Sequence, residues 1–328
     1  MKKKILITGA SGFVGYHLIE EALQNGLEVY AAIRPQSNIE HLSDFNIQYT
    51  YLNYTSVEDL VREIEDKQYN YIIHAAGITK AKTLADYNQI NAEFSKNLAL
   101  AATQVRVPVE KFVLVSSLAA LGPIQDLTAL IQDHSIPHPV TSYGRSKLLA
   151  EQHLSGIPNL PLVIIRPTAV YGPRERDLFV IFKTINKGLD PYIGRFNQQI
   201  SFIYVKDLAR ILIKALHGSS QQVYNITDGV IYDRYALADA AKLILGKRAF
   251  RIHLPVFVVN SLAAFMERLY LNREDTPVLN KEKMNELTAI NWACDISRAR
   301  EDLNFTPQYN LEQGLSETLN WYKESRWL

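Results

Sequence analysis

This 328-residue chain predicts an α/β fold: a doubly wound parallel sheet joined to a smaller, mostly helical C-terminal part. Three observations carry that prediction. An apolar run, Ile5-Leu6-Ile7, enters a turn bearing Gly9, Gly12 and Gly15, and the turn opens into an amphipathic stretch closed by Asn25-Gly26, which reads as strand, turn and helix. Further strand-length apolar runs then recur between helical patterns, as βαβ units require. From Tyr232 onward the pattern is mostly helical.

Composition sets the outer limits. The length suits one large domain with a smaller companion. A net charge of +1 without a long basic run argues against a nucleic-acid partner. Cys294 is the only cysteine, so no internal disulfide forms, and a reducing, cytoplasmic setting is expected. Lys2-Lys3-Lys4 resembles the start of a leader, but the apolar run after it is too short and enters the glycine turn at once.

The first element carries the first chemistry. Three glycines let the chain bend, let a pyrophosphate approach the backbone, and let a helix pack closely on its strand. Unpaired N–H groups and the helix dipole near Phe13 then make an anion site. Gly9, Ser11, Gly12, Phe13, Val14 and Gly15 are therefore the expected dinucleotide cradle. The spacing Gly-x-x-Gly-x-x-Gly, with Thr8 before it, resembles the extended branch of the short-chain dehydrogenase/reductase superfamily, the NAD-dependent epimerase/dehydratase group. That resemblance implies a Rossmann sheet, a nicotinamide cofactor and a small-molecule substrate; a homodimer is also a family expectation.

A second strand, Glu28 to Ile33, ends at Arg34, nineteen residues past Gly15. An acid at this place binds the ribose hydroxyls of NAD, whereas arginine accommodates a 2′-phosphate, so Arg34, with Ser37 and Asn38 nearby, leans toward NADP. A solvated arginine beside an NAD site is the alternative. Gln48 to Leu52 makes the third strand; the family's adenine-contacting Asp after it is replaced by Asn53-Tyr54, of which Asn can still hydrogen-bond the adenine edge. Tyr71 to His74 is the fourth strand, running into Ala75-Ala76-Gly77, small residues suited to backbone passing close to a cofactor. His74 reads as a hydrogen-bonded structural histidine rather than a base.

Tyr87 to Gln104 has a helical pattern, and Asn91 within it matches an asparagine that the family places behind its active site. Lys111 to Ser116 is the fifth strand, followed by Ser117 at a carboxyl end, where chemistry collects in such sheets; the resemblance puts Ser116 among the cofactor contacts. Ile124 to Val140 reads as a loop. His134 and His138 have metal-ligand spacing, but Pro137 between them excludes a helical pair, so no metal site is expected.

Tyr143-Gly144-Arg145-Ser146-Lys147 opens a helix running to Ser155, and residues four apart share a face. A cation beside a phenol favours the phenolate, so Lys147 is expected to lower the Tyr143 pKa and make it a usable acid or base. Leu162 to Arg166 is the sixth strand, leading to Arg166-Pro167-Thr168-Ala169-Val170-Tyr171-Gly172; in the family this backbone holds the nicotinamide amide, which implicates Pro167, Thr168 and Val170. Asp177 to Gly188 reads as a helix outside the sheet, Ser201 to Leu208 matches a family segment returning to the nucleotide part, and Gln222 to Ile226 reads as a strand. Helices are expected near 235–245, 255–271, 297–303 and 311–323. Leu254 to Phe265, the most apolar piece, is too short for a bilayer span and is expected to be a buried helix or pocket wall rather than a membrane anchor.

The resemblance extends through Asp295-Ile296-Ser297-Arg298-Ala299-Arg300 to Trp321-Tyr322. It implies a nucleotide domain of residues 1–173 plus about 199–228, and a substrate domain of about 174–198 plus 229–328. It also implies hydride transfer between NAD(P) and a secondary alcohol or ketone, with Ser117, Tyr143, Lys147 and Asn91 as the catalytic set. Sugar dehydratases carry Asp-Glu after the active-site hydroxyl residue; Leu118-Ala119 stands here, which argues against dehydration. Ile200 stands where UDP-sugar epimerases typically have an arginine. These departures, with Trp292, look more like the dihydroflavonol reductase and 3β-hydroxysteroid dehydrogenase groups. A nucleotide-sugar epimerase with retained NAD is the alternative, and a non-catalytic NADP-sensing regulator is a third, which the retained triad opposes.

Overall fold

The computed structural model describes residues 2–270 and 279–328. The main sheet is built from β1 (Lys4–Thr8), β2 (Glu28–Ala32), β3 (Gln48–Thr50), β4 (Tyr71–His74), β5 (Lys111–Val115) and β6 (Leu162–Pro167). Of the later strands, β7 (Ala169–Tyr171), β8 (Leu189–Ile193), β9 (Gln199–Ile200) and β10 (Phe202–Tyr204) lie outside it, and β11 (Gln222–Ile226) rejoins it. Its order is β11-β6-β5-β4-β1-β2-β3, with every pair parallel. With β12 (Tyr232–Asp233) and β13 (Phe250–Leu254), the outer strands form three two-stranded ribbons, β10-β7, β12-β9 and β13-β8.

The helices of the first half are α1 (Phe13–Gln24), α2 (Val57–Lys67), α3 (Leu84–Asn88), α4 (Phe94–Gln104) and α5 (Ser142–Ser155). Those of the second are α6 (Phe179–Asn186), α7 (Val205–Lys214), α8 (Ala236–Leu245), α9 (Val256–Tyr270), α10 (Lys281–Thr288), α11 (Ser297–Leu303) and α12 (Leu311–Glu324). Strand pleating sends alternate side chains to opposite faces, and both faces are covered. Ile5 and Ile7 of β1 pack with Leu18, Ile19, Leu208, Leu212 and Leu303 from α1, α7 and α11. Leu6, between them, packs with Leu60, Leu98, Ala150 and Leu154 from α2, α4 and α5. A separate core, with Tyr171, Phe182, Tyr204, Leu315 and Tyr322 fully buried, joins the second-half helices to β7 and β10.

The expected helix over Tyr87 to Gln104 is present in two pieces: α3 and α4 are joined by a wider π-helical turn, Gln89–Glu93, in which Asn91 sits. The expectation for Leu254 to Phe265 is overturned. Helix α9 buries Val259 and Ala263, packed with Met284, Ile193 and Leu279, but leaves Phe257 72% and Phe265 59% exposed. An apolar run announces burial only if neighbours arrive on all its sides, and here they arrive on one. The expected end of this helix, Leu271, lies outside the described residues. Among the described residues, no helix is long and apolar enough to cross a membrane.

Candidate active site

The glycine turn and the end of β4 are built against each other. Gly9 has φ +68°, and a Cβ there would lie 2.6 Å from the Ala75 carbonyl oxygen; a Cβ on Gly15 would lie 2.2 Å from that of Gly9. Neither space admits a side chain. Gly12 caps α1 without a side-chain acceptor, and the first turn holds no acid, so its N–H groups face an anion site. Ser11 lies in the turn, while Phe13 and Val14 turn partly inward against the second core. Thr8 pins the neighbouring turn: its Oγ1 accepts from Ala76 N at 3.0 Å and hydrogen-bonds His74 Nδ1 at 2.8 Å. His74 completes its pairing with Ser95 Oγ at 2.8 Å, and burial, aided by the Lys147 charge, pulls its pKa down to about 3. It is a neutral structural histidine.

This cradle fits a dinucleotide by its closeness and its free donors. Thr168 adds a second sign: its Oγ1 is buried with no hydrogen-bond partner in the protein, just beyond Pro167 at the end of β6. Val170 lies in β7, paired with Ile203 of β10. Arg34 is exposed past β2, in a turn closed by Ser37 N donating to its carbonyl at 2.9 Å. Asn53 is exposed, but its side chain is engaged by Thr55 and by Asp59 at 2.7 Å. Tyr54 faces inward, stacked on Phe94 with ring centroids 5.5 Å apart.

Across the sheet, α5 brings Tyr143 to the carboxyl end of β5. Thr141 caps this helix by accepting from Gly144 N at 3.0 Å, and Gly144 lets it press on the turn after Ser117, since a Cβ there would lie 2.3 Å from the Ala119 carbonyl oxygen. The Ser117 hydroxyl lies beside the Tyr143 phenol. Burial pushes the Tyr143 pKa up to about 12, and Ser117 opposes that rise only in part. The expected lowering by Lys147 is thus corrected: burial of the phenol dominates and favours its protonated form. Lys147 is itself buried, donates to the Val115 carbonyl at 2.8 Å, and is pulled down to about 8 by burial against the opposing Glu151 charge.

Asn91, 1% exposed, accepts from Ile78 N at 2.8 Å and donates to Ser146 Oγ at 2.9 Å, clamping the loop after β4 onto α5. A Cβ on Gly77 would lie 3.0 Å from Asn91 Oδ1 and 3.6 Å from Lys147 Nζ. The Ala75-Ala76-Gly77 turn therefore lies between the glycine cradle and the lysine, and the two expected halves of the site share one cleft.

Below the cleft lies a buried network absent from the expectations. Glu151 receives Arg166 Nε at 2.9 Å and Nη2 at 2.5 Å, and Ser116 Oγ also donates to it. The Ser116 hydroxyl proton is committed to Glu151. A charge on the sheet-facing side of a helix, and an arginine ending an apolar strand, were the signals that could have found this pair. Elsewhere, a cavity of about 680 Å³ is lined by Gln199, Tyr232, Arg234, Tyr235, His253 and Arg195, among others. No group of His, Cys, Asp and Glu able to hold a metal ion occurs among the described residues.

Residues 5–227 match the model of the NAD-dependent epimerase/dehydratase family. A ceramide reductase from Caulobacter vibrioides is 25% identical over 99% of this chain and 96% of its own. A decarboxylating sterol-4-alpha-carboxylate 3-dehydrogenase from Dictyostelium discoideum is 24% identical over 96% of this chain and 99% of its own. The fold is shared with a UDP-glucuronic acid 4-epimerase from Bacillus cereus in complex with NAD, at a TM-score of 0.78 and 22% identity, over 98% of this chain and 99% of that one.

Proposed function

The chain belongs to the NAD-dependent epimerase/dehydratase family, and on that premise we propose that it interconverts a ketone and a secondary alcohol, with Tyr143 as the proton-transfer residue. The observation that carries this reading is the placement of Tyr143 and buried Lys147 on α5, with Ser117 beside the phenol, next to the Ala75-Ala76-Gly77 turn that meets the glycine cradle. When bound, the nicotinamide cofactor supplies or accepts the hydride. Gly9, Ser11, Gly12, Phe13, Val14 and Gly15 would hold its pyrophosphate, Ala75 to Gly77 would line its path, and Pro167, Thr168 and Val170 would hold the amide end. Residues 174–198 and 229–328 hold the substrate.

Each catalytic side chain then has one task. Tyr143, with its pKa near 12, keeps its proton until negative charge develops on the substrate oxygen, and gives it up there. Ser117 donates a hydrogen bond to the same oxygen. Lys147, protonated at neutral pH, offsets the charge left on the phenol and holds the nicotinamide ribose. Asn91 keeps Ser146, and with it α5, in place. Tyr143→Phe should abolish turnover and leave cofactor affinity within about twofold, because it removes the proton and no binding group. Turnover at the parental rate would reject the assignment.

Arg34 leans the cofactor toward NADP. Arg34→Asp should then weaken NADPH and strengthen NADH binding, and an unchanged ratio would remove that lean. A second reading, epimerisation of a nucleotide sugar, is favoured by the cavity bearing Arg195 and Arg234, whose cations suit an anionic substrate. Purified protein that keeps NAD through dialysis would support the epimerase. Empty protein that oxidises NADPH with a ketone from a substrate panel would support the reductase.

A further inference from the structure

We propose that the outer surface formed by α9 and the β8–β13 ribbon docks on anionic phospholipid bilayers, as a peripheral contact and not a span. Two features meet there. The first is an apolar ridge. Val258, Leu262 and Phe265 recur at helical spacing on the exposed side of α9, Phe257 stands beside them, and Leu189 faces Phe250 across the ribbon, Phe250 being 74% exposed. The helix and the ribbon are adjacent in the fold, because α9 begins two residues beyond β13 and packs its Val256 and Val259 with Ile193 at the end of β8. Single exposed apolar residues need no explanation, but a row of them along one helix face, with another exposed pair on the adjoining ribbon, marks a surface that meets a partner.

The second feature is charge. Residues 179–196 and 236–270 hold eight Lys and Arg against three Asp and Glu, in a chain whose net charge is only +1. The acids are already used: Asp190 and Asp239 are paired with Lys242 and Arg251, and Glu267 accepts from Lys281 N. Lys183, Lys187, Arg195, Lys247, Arg248 and Arg268 are exposed and make no ion pair among the described residues. Lys187 and Arg248 flank the start of the ribbon, where a Cβ on Gly188 would lie 3.9 Å from the Arg248 carbonyl oxygen. Leu189 and Phe250 therefore each follow an exposed cation by two residues. Aromatic and aliphatic side chains that enter the headgroup boundary, beside lysines and arginines that meet lipid phosphates, are the two terms of interfacial binding. A second copy of the chain would bring the same cations against themselves and is disfavoured.

The test is vesicle sedimentation of the full chain, with phosphatidylcholine alone and with about one-third phosphatidylglycerol added. Binding to the anionic vesicles, weakened by salt, is expected. The triple variant Lys187→Glu, Lys247→Glu, Arg248→Glu should lower the partition coefficient by roughly a hundredfold, at about fivefold for each basic residue removed. Phe257→Ser with Phe265→Ser should lower it by about tenfold or more, with the melting temperature kept. Amide exchange of the unaltered protein supplies a readout independent of variant folding: vesicles should slow exchange over residues 256–270. No sedimentation with anionic vesicles, variants that sediment like the parent, absent protection of α9, or a dimer that falls apart on the phenylalanine substitutions would each overturn the proposal.

Discussion

Gly144→Ala tests how tightly the catalytic geometry depends on one helix contact. The added Cβ would lie 2.3 Å from the Ala119 carbonyl oxygen, whereas ordinary contact begins near 3.4 Å. The obstructing atom is backbone, so no rotamer change relieves it, and α5 must move about 1 Å away from the turn after Ser117. Tyr143 and Ser117 sit on the two sides of that contact, and a displacement of about 1 Å between reacting groups costs on the order of a hundredfold in rate. The expected result is a fall of about that size in kcat, with cofactor affinity less affected because the glycine cradle leads into α1 and only the Lys147 contact rides on α5. Stability should fall by about 1–3 kcal/mol, as overpacking does. Cofactor-linked absorbance on any accepted ketone reads the rate, fluorescence titration reads the affinity, and urea unfolding reads the stability. Gly156→Ala is the control, since a Cβ there makes its closest contact at 3.5 Å. Gly144→Ala with parental kcat and parental stability would refute the argument.

Four further outcomes follow from the same structure. Gly15→Ala, whose Cβ would lie 2.2 Å from the Gly9 carbonyl oxygen, should spread the turn and cost cofactor affinity at least about tenfold, the worth of one lost hydrogen bond to a phosphate; equal titration curves would contradict it. His74 binds a proton below about pH 3 when folded but near 6.5 when unfolded, so stability present above pH 6.5 should drain as pH falls toward 3, at up to about 1.4 kcal/mol per pH unit; His74→Asn should flatten that slope in acid unfolding curves. Lys147 loses its proton above about pH 8, so turnover should decline as pH rises through that value, and a Lys147→Arg enzyme, always charged, should show no such decline in its pH–rate profile. Glu151→Gln leaves buried Arg166 without its counter-charge and should cost about 3–5 kcal/mol in urea unfolding; a loss under 1 kcal/mol would show the pair to be dispensable.

Much of the framework was legible in the amino-acid order. The glycine turn, the strands at Lys111 and Gln222, and α11 and α12 fall where local pattern put them, because turns, caps and apolar periodicity are short-range properties. The π-helical turn around Asn91 was not legible: its register is set by a clamp onto Ile78 and Ser146, and the latter is 55 positions away.

Residue order alone determined that a phosphate-sized anion site opens at α1, and that a tyrosine and a lysine share one face of α5, since both follow from spacing along the chain. Tertiary structure alone decided their electrostatics and the fate of α9. Desolvation depends on every neighbour that excludes water, which is why Tyr143 holds its proton more firmly, and Lys147 less firmly, than their spacing suggests. The same dependence on distant neighbours left Phe257 and Phe265 in solvent, although their stretch of sequence reads as core.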